Sequence, residues 1–207
     1  MAEPKINQPH KATTGVKHFD YKVIGDEAAK INRVNFLQSI GVTMEQEIVK
    51  AYGDNTTAEM ATSSGDIEVT GGFHKVPLQD KVRMLGWEES ENGLIGTGGN
   101  DNPPYVGVIF TQTYEDGSAE YVGLPKGIFT RPSIEKETKG ESTEFSSDEI
   151  SGQFQDDKVP GFSDDKSVIF AYDPKGETTQ RDAIYQAIFG EPHPDADEDG
   201  NQGGVEG

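Results

Sequence analysis

The chain has 207 residues, with 37 Asp and Glu against 18 Lys and Arg and a formal net charge of −19. That sign disfavours gripping nucleic acid through its phosphates, which takes clustered Lys and Arg. The absence of cysteine excludes disulfides, thiol nucleophiles and Cys-ligated zinc.

The first fifteen residues are polar, with Pro4 and Pro9 and no apolar leader, and no apolar run reaches bilayer length. Neither an export signal nor a membrane partner is expected. The 25 Gly and 11 Pro set aside much of the chain for turns, loops or arms around one core.

Gly15 to Ile24 reads as a strand, with Phe19, Tyr21 and Val23 alternating against polar neighbours. Ile40 to Lys50 alternates Ile40, Val42 and Met44 with Thr43, Glu45 and Glu47, the pattern of a strand with one wet face. The polar stretch from Tyr52 to Gly65 reads as a long loop, and Asp66 to Thr70 resumes alternation with Ile67 and Val69. Val76 to Leu85 predicts a helix. Pro77 suits its first turn, Leu78, Val82 and Leu85 share a stripe, Gly86 can close it, and Lys81 and Arg83 should face solvent.

Tyr105 to Thr113 and Ala119 to Gly123 flank Asp116-Gly117, a strong hairpin signal. Further strands are expected at Gly127 to Thr130, Glu149 to Phe154 and Ser167 to Tyr172. Thr178 to Phe189 carries Ile184, Ala187 and Ile188 at helical spacing before Gly190. The remainder is strongly acidic, has little to bury and reads as a disordered tail.

Strands with only two short helices predict a mainly β protein, an antiparallel β-sandwich or barrel-like core with a short flanking helix and extended loops or arms. The expected organisation is an arm over 1–14 and a β-domain over 15–175 that includes the long loop 52–65. A C-terminal helix or arm at 176–190 and the acidic tail 191–207 follow.

Asp195, Asp197, Asp199, Gly200 and Glu206 have the spacing of an EF-hand calcium loop. However, Pro192 and Pro194 break an entering helix and Gly207 ends the sequence where an exiting helix would begin, so a solvated acidic tail is the preferred reading. Gly96-Thr97-Gly98-Gly99-Asn100 lacks the Gly-Lys-Ser/Thr ending of a phosphate loop. His10, His18, His74 and His193 show no ligand spacing, and no hydrolase or protease signature appears. Glu45 and Glu47, two apart on a wet strand, read as a solvated face rather than an acid–base pair. No catalytic residue, metal or cofactor is expected.

The wording and order of several segments resemble the phi13-type major tail proteins of siphophages of Gram-positive bacteria. They are KAYGDN leading to SGDIEVTGGF, the helix VPLQDKVRMLGW, PPYVGVIFTQTYEDGSAEYVGLPKGIF, and then KGESTEF and ISGQF. Together they cover over half the chain. The resemblance implies a tail tube fold, hexameric rings stacked into a non-contractile tube, no catalysis, and location in the virion tail after synthesis in the host cytoplasm. The implied partners are further copies of the chain, tail proteins such as the tape measure and the tail terminator, and double-stranded DNA in transit without specific binding.

On that basis Glu45, Glu47, Asp66 and Glu68 are candidates for the lumen wall, where like charge would repel passing phosphates. Tyr52, Asn55, Glu59 and Met60 in the long loop are candidates for subunit and ring contacts. The competing expectation is a non-catalytic β-sandwich adhesin of a phage tail or cell surface. A glycosidase is disfavoured by the single tryptophan and the missing carboxylate pocket.

Overall fold

The structure, a computed structural model, describes residues 12–53, 56–133 and 147–196, and only the backbone of 49, 51–53 and 56–64. Among the described residues ten strands and two helices follow one another as β1 (Thr13–Val23), β2 (Asn32–Val34), β3 (Leu37–Gly53), β4 (Thr56–Phe73), α1 (Leu78–Leu85), β5 (Glu88–Glu89), β6 (Ile95–Gly96), β7 (Val106–Tyr114), β8 (Ala119–Phe129), β9 (Asp148–Gln155), β10 (Ile169–Asp173) and α2 (Thr179–Phe189). The main sheet is antiparallel, in the order β2-β1-β7-β8-β9-β4-β3, and β10 pairs with β8 beside β9.

The sheet curves around one apolar core. Alternation along β1 sends Phe19 and Tyr21 inward, and β7 contributes Val106, Val108 and Phe110. From the opposite wall come Val69, Phe73, Phe129, Ile150 and Phe154. Aromatic edges meet faces across the centre, with Phe19 and Phe73 at 5.1 Å and Phe129 and Phe154 at 5.7 Å.

α1 plugs one end of this barrel through Met84 and Leu85. Gly86 closes the helix at φ 65, the left-handed turn its position predicts. The predicted stripe is rotated, however. Leu78 is 57% exposed, whereas Asp80 is buried and accepts a 2.7 Å hydrogen bond from the Tyr21 hydroxyl. Lys81 is not in solvent either, since its ammonium sits 3.0 Å from the Asp148 carboxylate.

α2 covers the outer face of β7, β8 and β10. Ile184, Tyr185 and Phe189 pack there on Ile109, Tyr121 and Ile169. The approach is close at Gly123, where an added Cβ would come within 3.0 Å of Ile188. The helix start is held by a residue outside it: the buried Asp173 carboxylate accepts the backbone N–H groups of Gln180 at 3.0 Å and Arg181 at 2.8 Å.

Three further expectations change. Residues 56–65, read as loop, are strand, paired from Tyr52↔Thr57 to Gln46↔Ser64. β-Branched Thr56, Thr57 and Thr62 suit a strand, but the sequence there has no apolar alternation by which to recognise it. The strand expected at Gly127 is continuous with that at Ala119. Pro125 interrupts the pattern but lies in a bulge, where Leu124 and Gly127 oppose Val108 and Val106 and no ladder N–H is needed. Residues 191–196 of the predicted acidic tail are placed against the barrel, with His193 only 4% exposed. Residues 1–11 and 197–207 lie outside the described residues.

A buried joint ties α2 to β1 and β2. Asp20, fully buried, accepts both Arg33 Nε at 2.6 Å and Arg33 Nη2 at 2.8 Å, and also the Tyr185 hydroxyl. Burial, and then the Asp20 charge, push the Tyr185 hydroxyl pKa well up, so it remains a donor. Removing Asp20 leaves a cation and a hydroxyl without their acceptor. Because the Arg33 side chain keeps 30% exposure, Asp20→Ala is expected to cost about 3 kcal/mol, the low end for a broken buried pair, in equilibrium urea unfolding.

Candidate assembly and lumen surfaces

The outer surface of the barrel has two unlike sides. One is covered by α2. On the other side, across β3, β4 and β9, the core-facing set of each strand alternates with polar residues that remain uncovered. The register aligns Thr43 with Glu68 and Glu68 with Gln153, and it places Thr70 beside Ser151.

All four predicted carboxylates lie on this wet side. Met44↔Ile67 is followed by Gln46↔Ser64, so two steps on β3 match three on β4. This bulge sets Glu45 beside Gly65 and Asp66, and a Cβ added at Gly65 would approach the Glu45 Cβ to 2.9 Å. Glu45, Glu47, Asp66 and Glu68 are exposed, and the face continues into exposed Gln153 and Glu149 of β9. The two β9 residues escaped the sequence reading because only pairing register shows which strands share a face. Neighbouring exposed carboxylates repel by roughly 1 kcal/mol in water, an interaction that salt screens. Lys126, opposite Gln155, is a cation at the margin, within 3.8 Å of Asp157 and 5.0 Å from the Tyr105 ring centre.

The second feature is the β3–β4 hairpin. β9 stops pairing at Phe154↔Ile67, yet β3 and β4 pair onward to Gly53↔Thr56. Beyond β9 they form a two-stranded ribbon of about 35 Å, taking ~3.3 Å per residue. Such a ribbon is marginal alone in water, and its unpaired edges are templates for further strands. Tyr52, Glu59 and Met60 lie within it, and Asn55 lies outside the described residues. Nearer the barrel, Met44 and Ile48 are 55% and 59% exposed.

The third feature is His193. Its ring stacks edge-on to Tyr185 at 4.6 Å, its Nδ1 accepts the Asp195 N–H at 3.0 Å, and its Nε2 is 3.4 Å from Arg33 Nη2. Both ring nitrogens face donors. A neutral ring can accept at one of them, whereas a protonated ring can accept at neither. Burial, then the positive charges of Arg181 and Arg33, lower its pKa, and the carboxylates of Asp195 and Asp20 oppose them. Of the proposed calcium residues, Asp195 is therefore engaged with His193. Asp197, Asp199 and Glu206 lie outside the described residues, and among the described residues no cluster of three His, Asp or Glu could hold a metal.

A lowered folded-state value means that the neutral histidine's contribution is complete above its ordinary value of 6.5 and is lost as pH falls below it. Thermal melts between pH 7.5 and 5 are expected to show a decline that is shallower in His193→Gln. Equal slopes would remove His193 from that response.

The sequence profile of the family described as phage tail tube protein matches residues 12–192. No curated protein sequence matches. Among solved structures, the chain is similar to a component of the anti-feeding prophage baseplate (8% identity, 79% of this chain and 97% of that one, TM-score 0.41). It is also similar to a chain of the sheath–tube complex of an extracellular contractile injection system (15%, 74% and 88%, 0.38) and to one of the anti-feeding prophage cap (14%, 82% and 98%, 0.40).

Proposed function

The chain belongs to the phage tail tube protein family, and from that premise we propose that its copies close into hexameric rings that stack as the non-contractile tube of a siphophage tail. Membership makes it a structural, non-enzymatic component of the virion tail. In the proposed tube the wet side of β3, β4 and β9 faces the lumen, and α2 lies on the opposite side. Double-stranded DNA passes during ejection without binding. Tape measure and terminator proteins are the proposed tail partners.

The observation that carries this reading is the two-stranded ribbon beyond Phe154↔Ile67. A hairpin that runs so far past its sheet is stabilised by what it meets outside its own barrel, and a neighbouring subunit can supply both the strand edge and the cover. The carboxylates fit the same arrangement. A polyanion slides past a wall of like charge because no phosphate finds a cation to hold it.

Two experiments test the proposal. Replacing residues 52–65 by a short Gly-Ser turn is expected to leave a folded protein with a near-normal melt that stays monomeric; long tubes in negative-stain micrographs would take the ribbon out of assembly. Neutralising the wall, with Gln at 45, 47 and 68 and Asn at 66, is expected to leave tubes intact and slow DNA ejection, most strongly at low salt. Ejection kinetics unchanged at every ionic strength would mean that these side chains do not line the path. A wild-type protein that stays as isolated particles under crowding would favour a binding module instead.

A further inference from the structure

The two ends of the barrel are unlike and complementary. Where β3 begins and β4 ends, Phe36 is 76% exposed. Its φ is 62, a left-handed conformation that a bulky residue adopts only against strain. The turn is braced: His74 donates its backbone N–H to the Phe36 carbonyl at 3.1 Å and sets its ring 6.5 Å away, edge-on. Exposed Lys75 follows, and exposed Leu78 opens α1 on the same end. The chain therefore spends backbone strain to hold an aromatic ring in water beside a basic residue.

At the opposite end β9 and β10 part along β8, leaving an open groove of about 870 Å³. Its walls include Met44, Phe154, Val168 and Phe170, with Phe170 57% exposed. Its rim carries Glu45, Asp66, Asp156 and Asp165, and the single rim cation, Lys166, lies 5.9 Å from the Phe162 ring centre. Leu37 pairs at the Phe36 end of β4 and Met44 at the groove end, about 23 Å apart at ~3.3 Å per residue. One molecule cannot close that distance. Two copies in head-to-tail register can.

The geometry points to an axial contact between copies of this chain: Phe36 of one seats in the Met44–Phe154–Val168–Phe170 groove of the next, and Lys75 meets the Asp156 and Asp165 side of the acidic rim, which leaves Glu45 and Asp66 to the wall. The contact pairs unlike patches, so it propagates as a stack rather than stopping at a dimer. Opposite charge sets its polarity, because the acidic rim of one copy repels the acidic rim of another. One seated aromatic buries on the order of 200 Å² of its own surface, far below what a stable pair requires, so isolated copies stay apart and whole rings engage together. The inference rests on the tube reading and adds to it the residues that join successive rings.

The absence of native cysteine makes the contact directly readable. Asn35→Cys beside the knob and Ser167→Cys in the groove leave both apolar partners in place. Assembled and treated with a short bismaleimide, the double variant is expected to give a ladder of multimers on a denaturing gel, with each single variant giving none. Tubes that yield no ladder, or only dimers, would overturn the contact and leave the tube reading standing. A wild-type chain that never forms rings or tubes would sink that reading and the contact with it. Independently, Phe36→Gly relieves the left-handed strain, so the melting temperature is expected to stay level or rise by up to about 4 °C, while tube yield falls at least tenfold. Wild-type yield from Phe36→Gly would overturn the proposal.

Discussion

One antiparallel sheet has to enclose one core, and β8 is where that constraint acts. Its first half pairs with β10, its second half with β9, and its other edge with β7 throughout. A flat sheet could not place Phe19 of β1 against Phe73 of β4; a curved one brings them to 5.1 Å. The Pro125 bulge lies at the midpoint of β8, where the strand passes from one partner to the other. A large part of the stability follows from this closure, since both walls bury their apolar residues in the same space.

Closure also separates the outer surface into two sides with different chemistry. β7 and β8 are apolar on both faces, so their outer face needs a cover, and α2 provides it through Ile184, Tyr185 and Phe189. Within the barrel β3, β4 and β9 alternate and need none. The Asp20–Arg33–Tyr185 joint and the Asp173 carboxylate fix the covering helix, and the side opposite stays open. In the proposed tube this difference separates a wall facing DNA from one facing outward.

The ribbon is governed by a different balance. Inside the barrel β4 is fastened by two neighbours, β3 and β9, and a packed face, whereas past Ile67 it has one paired neighbour, β3. Local stability falls along it, and segments of that kind are the ones that assembly completes. Strain at Phe36 fits the same logic at the other end of the molecule: the turn is braced by His74, and in the proposed stack its backbone cost is offset where the next copy takes up the side chain.

Period-two alternation identified β1, β3 and the buried part of β4, since each places apolar residues on a fixed face; strand-like runs marked β7, β9 and β10, and Asp116-Gly117 marked the turn that joins β7 to β8. Gly86 and Gly190 marked the ends of both helices. The order and wording of these segments were enough to indicate a tail tube protein. The sequence could not reveal strand pairing where no apolar alternation marks it, so 56–65 read as loop, and it could not reveal that Asp80 of α1 is buried because Tyr21 awaits it. Nor could it say that Gln153 shares a face with Glu68, that His193 lies between Tyr185 and Arg33, or that Phe36 and the Phe170 groove mark opposite ends of one barrel. Those facts depend on register and on contacts between distant segments. Local pattern records which residues seek burial, whereas only the closed sheet decides what each of them meets.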